Sequence, residues 1–401
     1  MFNKIGLLKI IEEQRKEIQS QKTGLPRSAL ETLPNLQTHA AIISGVRRCG
    51  KSTLLLQRLK KEKSKSLYLG FDDIRLTDFD SQDLILLGNI IKDGKYKTLF
   101  LDEPQIVDKW EVFVKSQLEY GVKVFATGSN ASLLSRELGT RLTGRHITKE
   151  LFPFSYKEFI RFKKMKAQAA SFQKYIDMGG FPEYLATQRI DVLTHLFSDV
   201  LYRDIIVRHG VRDGATLKKI AVYLMANVAN MVSANRLQEP FGTNSNTILE
   251  YLSYFEDTYL INLVPKFSYS MKMQNRHPKK IYVIDSALQK AASASFTKDY
   301  GRLLENAVYW HLRRKSEEIY YFNENNRECD FVLCQNGAPA ELVQVCYDFN
   351  RETMEREQKG LKEAMDFFKI NNAKIITYNQ DDMYIQDRKK IMLIPAWKYM
   401  A

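Results

Sequence analysis

Gly45-Val46-Arg47-Arg48-Cys49-Gly50-Lys51-Ser52-Thr53 decides how the rest of the chain is read. The stretch fits G-x-x-x-x-G-K-[ST], follows an apolar run at 40–44, and opens a helical pattern at 51–62. A strand before and a helix after are the context in which this pattern binds phosphate. Its glycines let successive backbone N–H groups of residues 45–53 curl round an anion, and the helix N-terminus adds partial positive charge. In that arrangement the Lys51 ammonium bridges the β- and γ-phosphates and the Ser52 hydroxyl ligates Mg²⁺. By chance the pattern arises about 0.01 times in roughly 400 residues, so a glycine turn with a stray lysine is a poor alternative.

Outward from the loop, short apolar runs alternate with helical patterns. Runs at 40–44, 66–70, 98–101 and 122–127 predict four strands, with helices such as 110–120 between them. This alternation predicts an α/β fold with a doubly wound parallel sheet. The third run ends in Asp102 and Glu103, about 50 residues after the loop. An acid placed there holds Mg²⁺, usually through water, and a second one polarises the attacking water; Asp102 and Glu103 are predicted in those roles. The fourth run leads into Ser129 and Asn130, candidate γ-phosphate sensors or plain helix caps. Arg141 and Arg145 are candidates for an arginine finger acting on a neighbouring subunit's nucleotide in a homo-oligomer, with a surface ion pair as the plain alternative. Cys49 is a small side chain filling a variable loop position, or a redox handle.

The 401 residues suffice for two or three domains. Apolar residues at 44% and charged residues at 27% are those of an ordinary soluble globular protein. No stretch reaches the ~18 apolar residues of a membrane span; the run at 84–91 breaks at Gly88 and Asn89. Leu7, Leu8 and Ile11 run straight into Glu12, Glu13 and Arg15, which is not a signal-peptide pattern. Cysteines at 49, 329, 334 and 346 form no CxxC pair or disulfide framework, and the histidines show no metal spacing with them. The expectation is a cytoplasmic chain with no membrane contact. The net charge of +13 divides as +7 over residues 1–150, +7 over 151–300 and −1 over 301–401. Such a balance suits nucleic acid or nucleotide phosphates as partners, and equally a lysine-rich surface.

Taken together, GVRRCGKST (45–53), LFLDEPQ (99–105), ATGSN (126–130), LTGR (142–145) and LFPFSYKEF (151–159) resemble an AAA+ superfamily ATPase. More narrowly, the chain resembles prokaryotic ATPases that carry a C-terminal domain of unknown function with a restriction-endonuclease-like end. GGFPEY (179–184), YRDIIVRHG (202–210), KIYVIDSAL (280–288), GRLLENAVYWHL (301–312) and RECDFVL (327–333) extend the resemblance over essentially the whole chain. No base-selective motif of the GTPase kind is visible, so the residues alone do not choose between ATP and GTP; the resemblance implies ATP with Mg²⁺.

In the middle section, residues 233–239 suit a short capped helix, and Pro240, Phe241 and Gly242 a turn. A second helix starts near Ser245, with Ile248, Leu249, Leu252, Phe255 and Leu260 on its apolar face. Helix, glycine turn, helix and strand pair fit a winged helix-turn-helix, and the family resemblance agrees. Asn244, Asn246 and Thr247 would then open a recognition helix. Lys266, Lys272, Arg276, Lys279 and Lys280 would form a basic wing against the phosphates of double-stranded DNA. Glu250, Glu256 and Asp257 weigh against that reading, and such modules also pack against protein.

A restriction-endonuclease-like site needs a helix acid, a strand-end acid, then an acid and a lysine on the next strand. Glu305 and Asp330 match the first two, but the next strand has Gln344 and Cys346 where the last pair belongs. Strand alternation puts Leu342, Gln344 and Cys346 on one face and Glu341 on the other, with no lysine nearby to replace the missing one. The chain is thus expected in three parts. These are a P-loop AAA+ type ATPase domain at 1–150, a helical lid and winged-helix segment at 151–298, and a degenerate α+β restriction-endonuclease-like module at 299–401. ATP hydrolysis would drive rearrangement of the C-terminal half on DNA. The alternative is a nucleotide-gated protein-interaction switch; Gln344 and Cys346 weigh against an active nuclease.

Overall fold

The structure is a computed structural model that describes residues 2–128, 144–293, 299–324, 327–386 and 388–401. The chain folds as two compact units, Met1–Phe152 and Pro153–Ala401.

The first unit is built on a parallel sheet of order β2-β3-β4-β1-β5. Its strands are β1 (Ala40–Ser44), β2 (Ser66–Gly70), β3 (Thr98–Asp102), β4 (Lys123–Gly128) and β5 (His146–Glu150). All residues of β1 and β3 are buried, as continuous apolar runs covered on both faces should be. Around them lie α1 (Lys4–Ser20), α2 (Lys51–Lys61), α3 (Asp83–Asp93) and α4 (Trp110–Glu119). Leu7 and Ile11 of α1, Leu87 and Ile91 of α3 and Val114 of α4 close over Ile42, Leu69, Leu99 and Leu101. The four predicted strands are present to within a residue at each end. A fifth, β5, was not predicted: its mostly polar text, HITKE, carries no strand pattern, and only its pairing with β1 at the sheet edge makes it one.

The second unit holds two further sheets. Helices Gly214–Ala226, Ala234–Phe241 and Ser245–Asp257 accompany a three-stranded antiparallel sheet of order β6-β8-β7, made of Met231–Val232, Lys279–Val283 and Ile261–Val264. A six-stranded mixed sheet, β13-β14-β12-β11-β10-β9, follows. Its strands in chain order are β9 (Ile319–Glu324), β10 (Arg327–Gln335), β11 (Ala338–Cys346), β12 (Asn372–Thr377), β13 (Asp382–Gln386) and β14 (Lys389–Pro395). Helix Arg351–Phe368 brings Leu361, Ala364 and Met365 onto Val332, Leu342 and Ile375 of this sheet. Ahead of both sheets, helix Ile190–Asp199 runs into a π-helix, Val200–Val207, so the YRDII text lies in a widened turn.

Three of the sequence motifs meet at one junction. Asp285 accepts backbone N–H bonds from Gly180 (2.6 Å), Ala287 (2.9 Å) and Leu288 (3.0 Å), capping helix Ser286–Ala292. Gly179 has φ +61°, and a Cβ there would fall 2.2 Å from an Asp285 carboxylate oxygen. A Cβ on Gly180 would fall 2.3 Å from the Phe154 carbonyl. The paired glycines are thus a steric requirement of this junction.

His311, on helix Tyr300–Arg313, has a buried Nε2 with no hydrogen-bond partner. Burial, with Lys315, Arg314 and Lys374 nearby, depresses its pKa from 6.5 to about 3. The folded chain therefore binds fewer protons than the unfolded one between those values, so this group's stabilisation is complete above pH 6.5 and is lost as the pH falls. Acidification from pH 7 to 5 should cost about 2 kcal/mol through this one group. Denaturant unfolding of wild type and His311→Phe at both pH values checks this; equal acid sensitivity would refute it.

Candidate nucleotide site

The loop after β1 is held from beneath. Val46 and Cys49 are fully buried beneath it. The Cys49 thiol donates to the Leu151 carbonyl at 3.2 Å, and burial raises its pKa, which fits packing and not redox exchange. Arg27, also buried, donates to the carbonyls of Cys49 (2.6 Å) and Phe152 (2.7 Å). Its own N–H reaches Gln57 Oε1 at 3.0 Å. Nothing in the sequence marked Arg27 as a strut of the loop, because its contacts lie 22 and 125 residues away. Gly45 and Gly50 take φ +150° and +100°, and Arg48 takes +62°.

Lys51 is 5% exposed. Its ammonium donates to the carbonyls of Gly45 (3.0 Å) and Val46 (3.2 Å), and among the described residues no carboxylate pairs with it. A buried cation met only by main-chain oxygens is unbalanced until an anion arrives. The Ser52 hydroxyl donates to Asp102 Oδ1 at 3.1 Å, across the 50 residues between loop and acid strand. Asp102 also accepts from the hydroxyls of Thr127 and of Tyr68, the latter at 3.1 Å. Burial raises the Asp102 pKa, while the bonds from Thr127 and Ser52 pull it back.

Thr127 sits on β4, which lies between the loop strand and the acid strand. Its hydroxyl also accepts the Glu103 N–H at 3.0 Å, fixing the backbone where the two acids diverge. Glu103 has φ +53°, and its carboxylate accepts from Gln105. Tyr68 and Thr127 were not singled out from sequence; both lie in apolar strand text, where a hydroxyl reads as core.

Ser129, Asn130 and Arg141 lie outside the described residues. Arg145 is half-exposed and pairs with Glu119 at 3.5 Å.

In the second unit, the Asn244 side chain is taken up by the cap of helix Ser245–Asp257, accepting from the Thr247 N–H at 2.9 Å. Asn246 is exposed and Thr247 half-buried; Lys272 and Arg276 are exposed and Lys279 half-buried. Lys280 overturns its expected place on a basic wing. It is 4% exposed, and its ammonium lies 2.7 Å from Asp330, 3.1 Å from Glu305, and against Glu328. It also overturns the expectation that no lysine stands near these acids. Pairing along β8 puts Lys280 and Tyr282 on one face, and the Tyr282 hydroxyl reaches Glu305 at 2.7 Å. Burial works against the Lys280 charge, but Asp330 and Glu305 outweigh it and hold its pKa well above 10.5. Burial and Asp330 push the Glu305 pKa up. Gln344 is buried; it accepts from the Asp330 N–H at 3.0 Å and donates to Glu357, while Glu341 pairs with Lys374.

Residues 37–160 match an AAA domain, and residues 169–299 match a domain of unknown function (DUF8612). The first unit is therefore a P-loop domain of the AAA class. The chain is 35% identical over 392 residues to the uncharacterized protein MJ1544 of Methanocaldococcus jannaschii, covering 89% of this chain and 87% of that one. An uncharacterized protein of Haemophilus influenzae is 30% identical over 338 residues, covering 79% and 84%. The chain belongs to the family of these two proteins: an N-terminal AAA domain followed by a domain of unknown function. Among the described residues, no helix is long and apolar enough to cross a membrane.

Proposed function

We propose that the first unit binds ATP with Mg²⁺ on the 45–53 loop and hydrolyses it, driving rearrangement of the second unit. The observation that carries this is the Ser52–Asp102 contact, which joins the loop's hydroxyl to the acid of another strand, beside a lysine with which no carboxylate among the described residues pairs. The oxygen donors Ser52 and Asp102 fit Mg²⁺, which supplies charge neutralisation on the phosphate oxygens when bound. Lys51 exchanges its carbonyl partners for phosphate oxygens, and the backbone N–H groups of 45–53 cradle them. Glu103 takes the proton of the attacking water, its backbone set by Thr127. Ser129 and Asn130 are the proposed γ-phosphate sensors. Arg145 is the proposed finger toward a neighbouring copy, which requires it to leave Glu119.

The rearranging half comprises, in this proposal, a winged-helix segment within 151–298 and a restriction-endonuclease-like module at 299–401. The order β6-β8-β7, with helices Ala234–Phe241 and Ser245–Asp257 between β6 and β7, supports the former, and the six-stranded mixed sheet with its flanking helices the latter. DNA would meet Asn246, Lys272, Arg276 and Lys279. A second reading, a nucleotide-gated switch toward protein, is favoured by the segment after β7. There the Phe267 N–H donates to the Tyr321 carbonyl at 2.7 Å and Lys266 pairs with Glu324 at 2.9 Å, so the start of the would-be wing is tied to β9. Nuclease activity is not proposed, because Lys280 engages both Glu305 and Asp330, the acids a metal would need.

The test is Mg²⁺-dependent phosphate release from ATP by the full chain, with and without duplex DNA. Glu103→Gln should cut turnover about 10²–10³-fold with nucleotide binding kept within about threefold. Lys51→Ala should lose binding itself. DNA-stimulated turnover supports the DNA-directed reading, and indifference to DNA the protein switch. Wild type as inactive as Glu103→Gln in both conditions would sink the hydrolytic assignment.

A further inference from the structure

Between α3 and α4 lies a furrow of about 680 Å³, running from Ser81 to Tyr96 along one helix and from Lys109 to Tyr120 along the other. It follows the full length of both helices, so it is a trough and not a pit. Gly88 contributes no side chain, which lowers the floor onto Phe113 and Gln117. Ile85, Val112 and Tyr120 line it while 69%, 53% and 78% exposed. Three large apolar side chains left in water together, in a concave site with a polar rim, mark an interaction surface. The rim is of one sign: Lys92, Lys95, Lys97 and Lys109 line the furrow, and no acid among the described residues does. None of the four lies within ion-pair distance of a carboxylate among the described residues.

We propose that this furrow docks an acidic amphipathic helix of a partner protein. An apolar helix face laid in a trough between two helices buries Ile85, Val112 and Tyr120. Its flanking Asp and Glu side chains meet the four ammonium groups, giving orientation and fast encounter. A nucleic acid backbone would satisfy the lysines but leave the aliphatic centre wet. The position also has a consequence for the site: α3 leads into β3, which ends at Asp102, and α4 follows Glu103 and leads into β4, which carries Thr127. An occupant grips both helices that flank the carboxylate pair. The inference goes beyond the nucleotide reading and does not require it.

A phage-displayed library of 16-residue helices panned against the full chain provides the probe. Selected peptides should carry net charge −3 or lower with apolar residues at i, i+3 and i+4, roughly the spacing of one helix face. Fluorescein-labelled, they should lose at least about tenfold in affinity to Val112→Glu, and likewise to Lys92→Glu combined with Lys95→Glu, by anisotropy. Binding of a fluorescent ATP analogue should be unchanged in both variants, which separates failure here from failure at the loop. Selected peptides that ignore these substitutions, or that are basic or uncharged, overturn the proposal. So does a 20-base-pair duplex whose own binding is lost in Val112→Glu, which would make the furrow a nucleic-acid site.

Discussion

Lys280→Ala should destabilise the second unit by about 3–5 kcal/mol, because it leaves Asp330, Glu305 and Glu328 facing one another without their cation. Two of the three acids are themselves largely buried, so water cannot replace the lost charge cheaply. Lys280→Met, which fills the stem but not the charge, should cost nearly as much. The informative control is Lys280→Met with Glu305→Gln and Asp330→Asn, which removes the unpaired charges together. It should recover more than half of the loss, since a buried ion pair replaced by neutral groups is often near neutral in stability. Guanidinium unfolding followed through tryptophan fluorescence reads this, with Trp310 packed beside β8 as the local reporter. A single-variant cost under about 1 kcal/mol would mean the cluster is wetter and looser than its geometry.

The same lysine shows where sequence reading ran out. Lys280 closes the basic text MKMQNRHPKK, which reads as a wing facing phosphates, and the apolar strand pattern begins only at Ile281. The strand in fact starts at Lys279, and that shift of two residues carries Lys280 from the wing into the core. Its acids, Glu305 and Asp330, stood out as a pair, but their cation came from an element 25 residues before the first of them. Local pattern cannot supply such a partner; only the packing of helix Tyr300–Arg313 on β8 does. By contrast, the loop and the acid strand of the first unit were legible, and Ser52 and Asp102, both singled out from sequence, stand in contact. There β1 and β3 are buried on both faces and therefore read as uninterrupted apolar runs, and the loop is encoded in consecutive residues. What escaped there were the supports, Arg27, Tyr68 and Thr127, whose roles depend on which strand lies beside which.

Gly45→Ala should be the most damaging glycine replacement in the first unit, and a ladder of three glycines separates the reasons. Gly24 has φ +59° with nothing within 4 Å of an added Cβ, so Gly24→Ala should cost only backbone strain, about 1 kcal/mol. Gly50 has φ +100°, and its Cβ would press on Arg27 Nη1 at 3.2 Å, a side chain that can yield only by loosening its bond to the Cys49 carbonyl. Gly45 has φ +150°, and its Cβ would lie 2.0 Å from the Leu151 carbonyl oxygen. That oxygen cannot retreat: it accepts the Cys49 thiol, and the Leu151 N–H is bonded to the Ser44 carbonyl at 2.7 Å. Since main chain meets main chain, the loop itself must lift away from the end of the sheet. The expected cost is roughly 2–4 kcal/mol of stability. With the loop lifted, nucleotide affinity should fall at least about 100-fold, or some 2.7 kcal/mol, because the N–H groups and Lys51 no longer converge. Titration of a fluorescent ATP analogue against the three variants reads the affinities, and unfolding midpoints read the stabilities. Equal losses at Gly24 and Gly45 would mean that strain alone, and not the Leu151 contact, makes glycine necessary at the head of the loop.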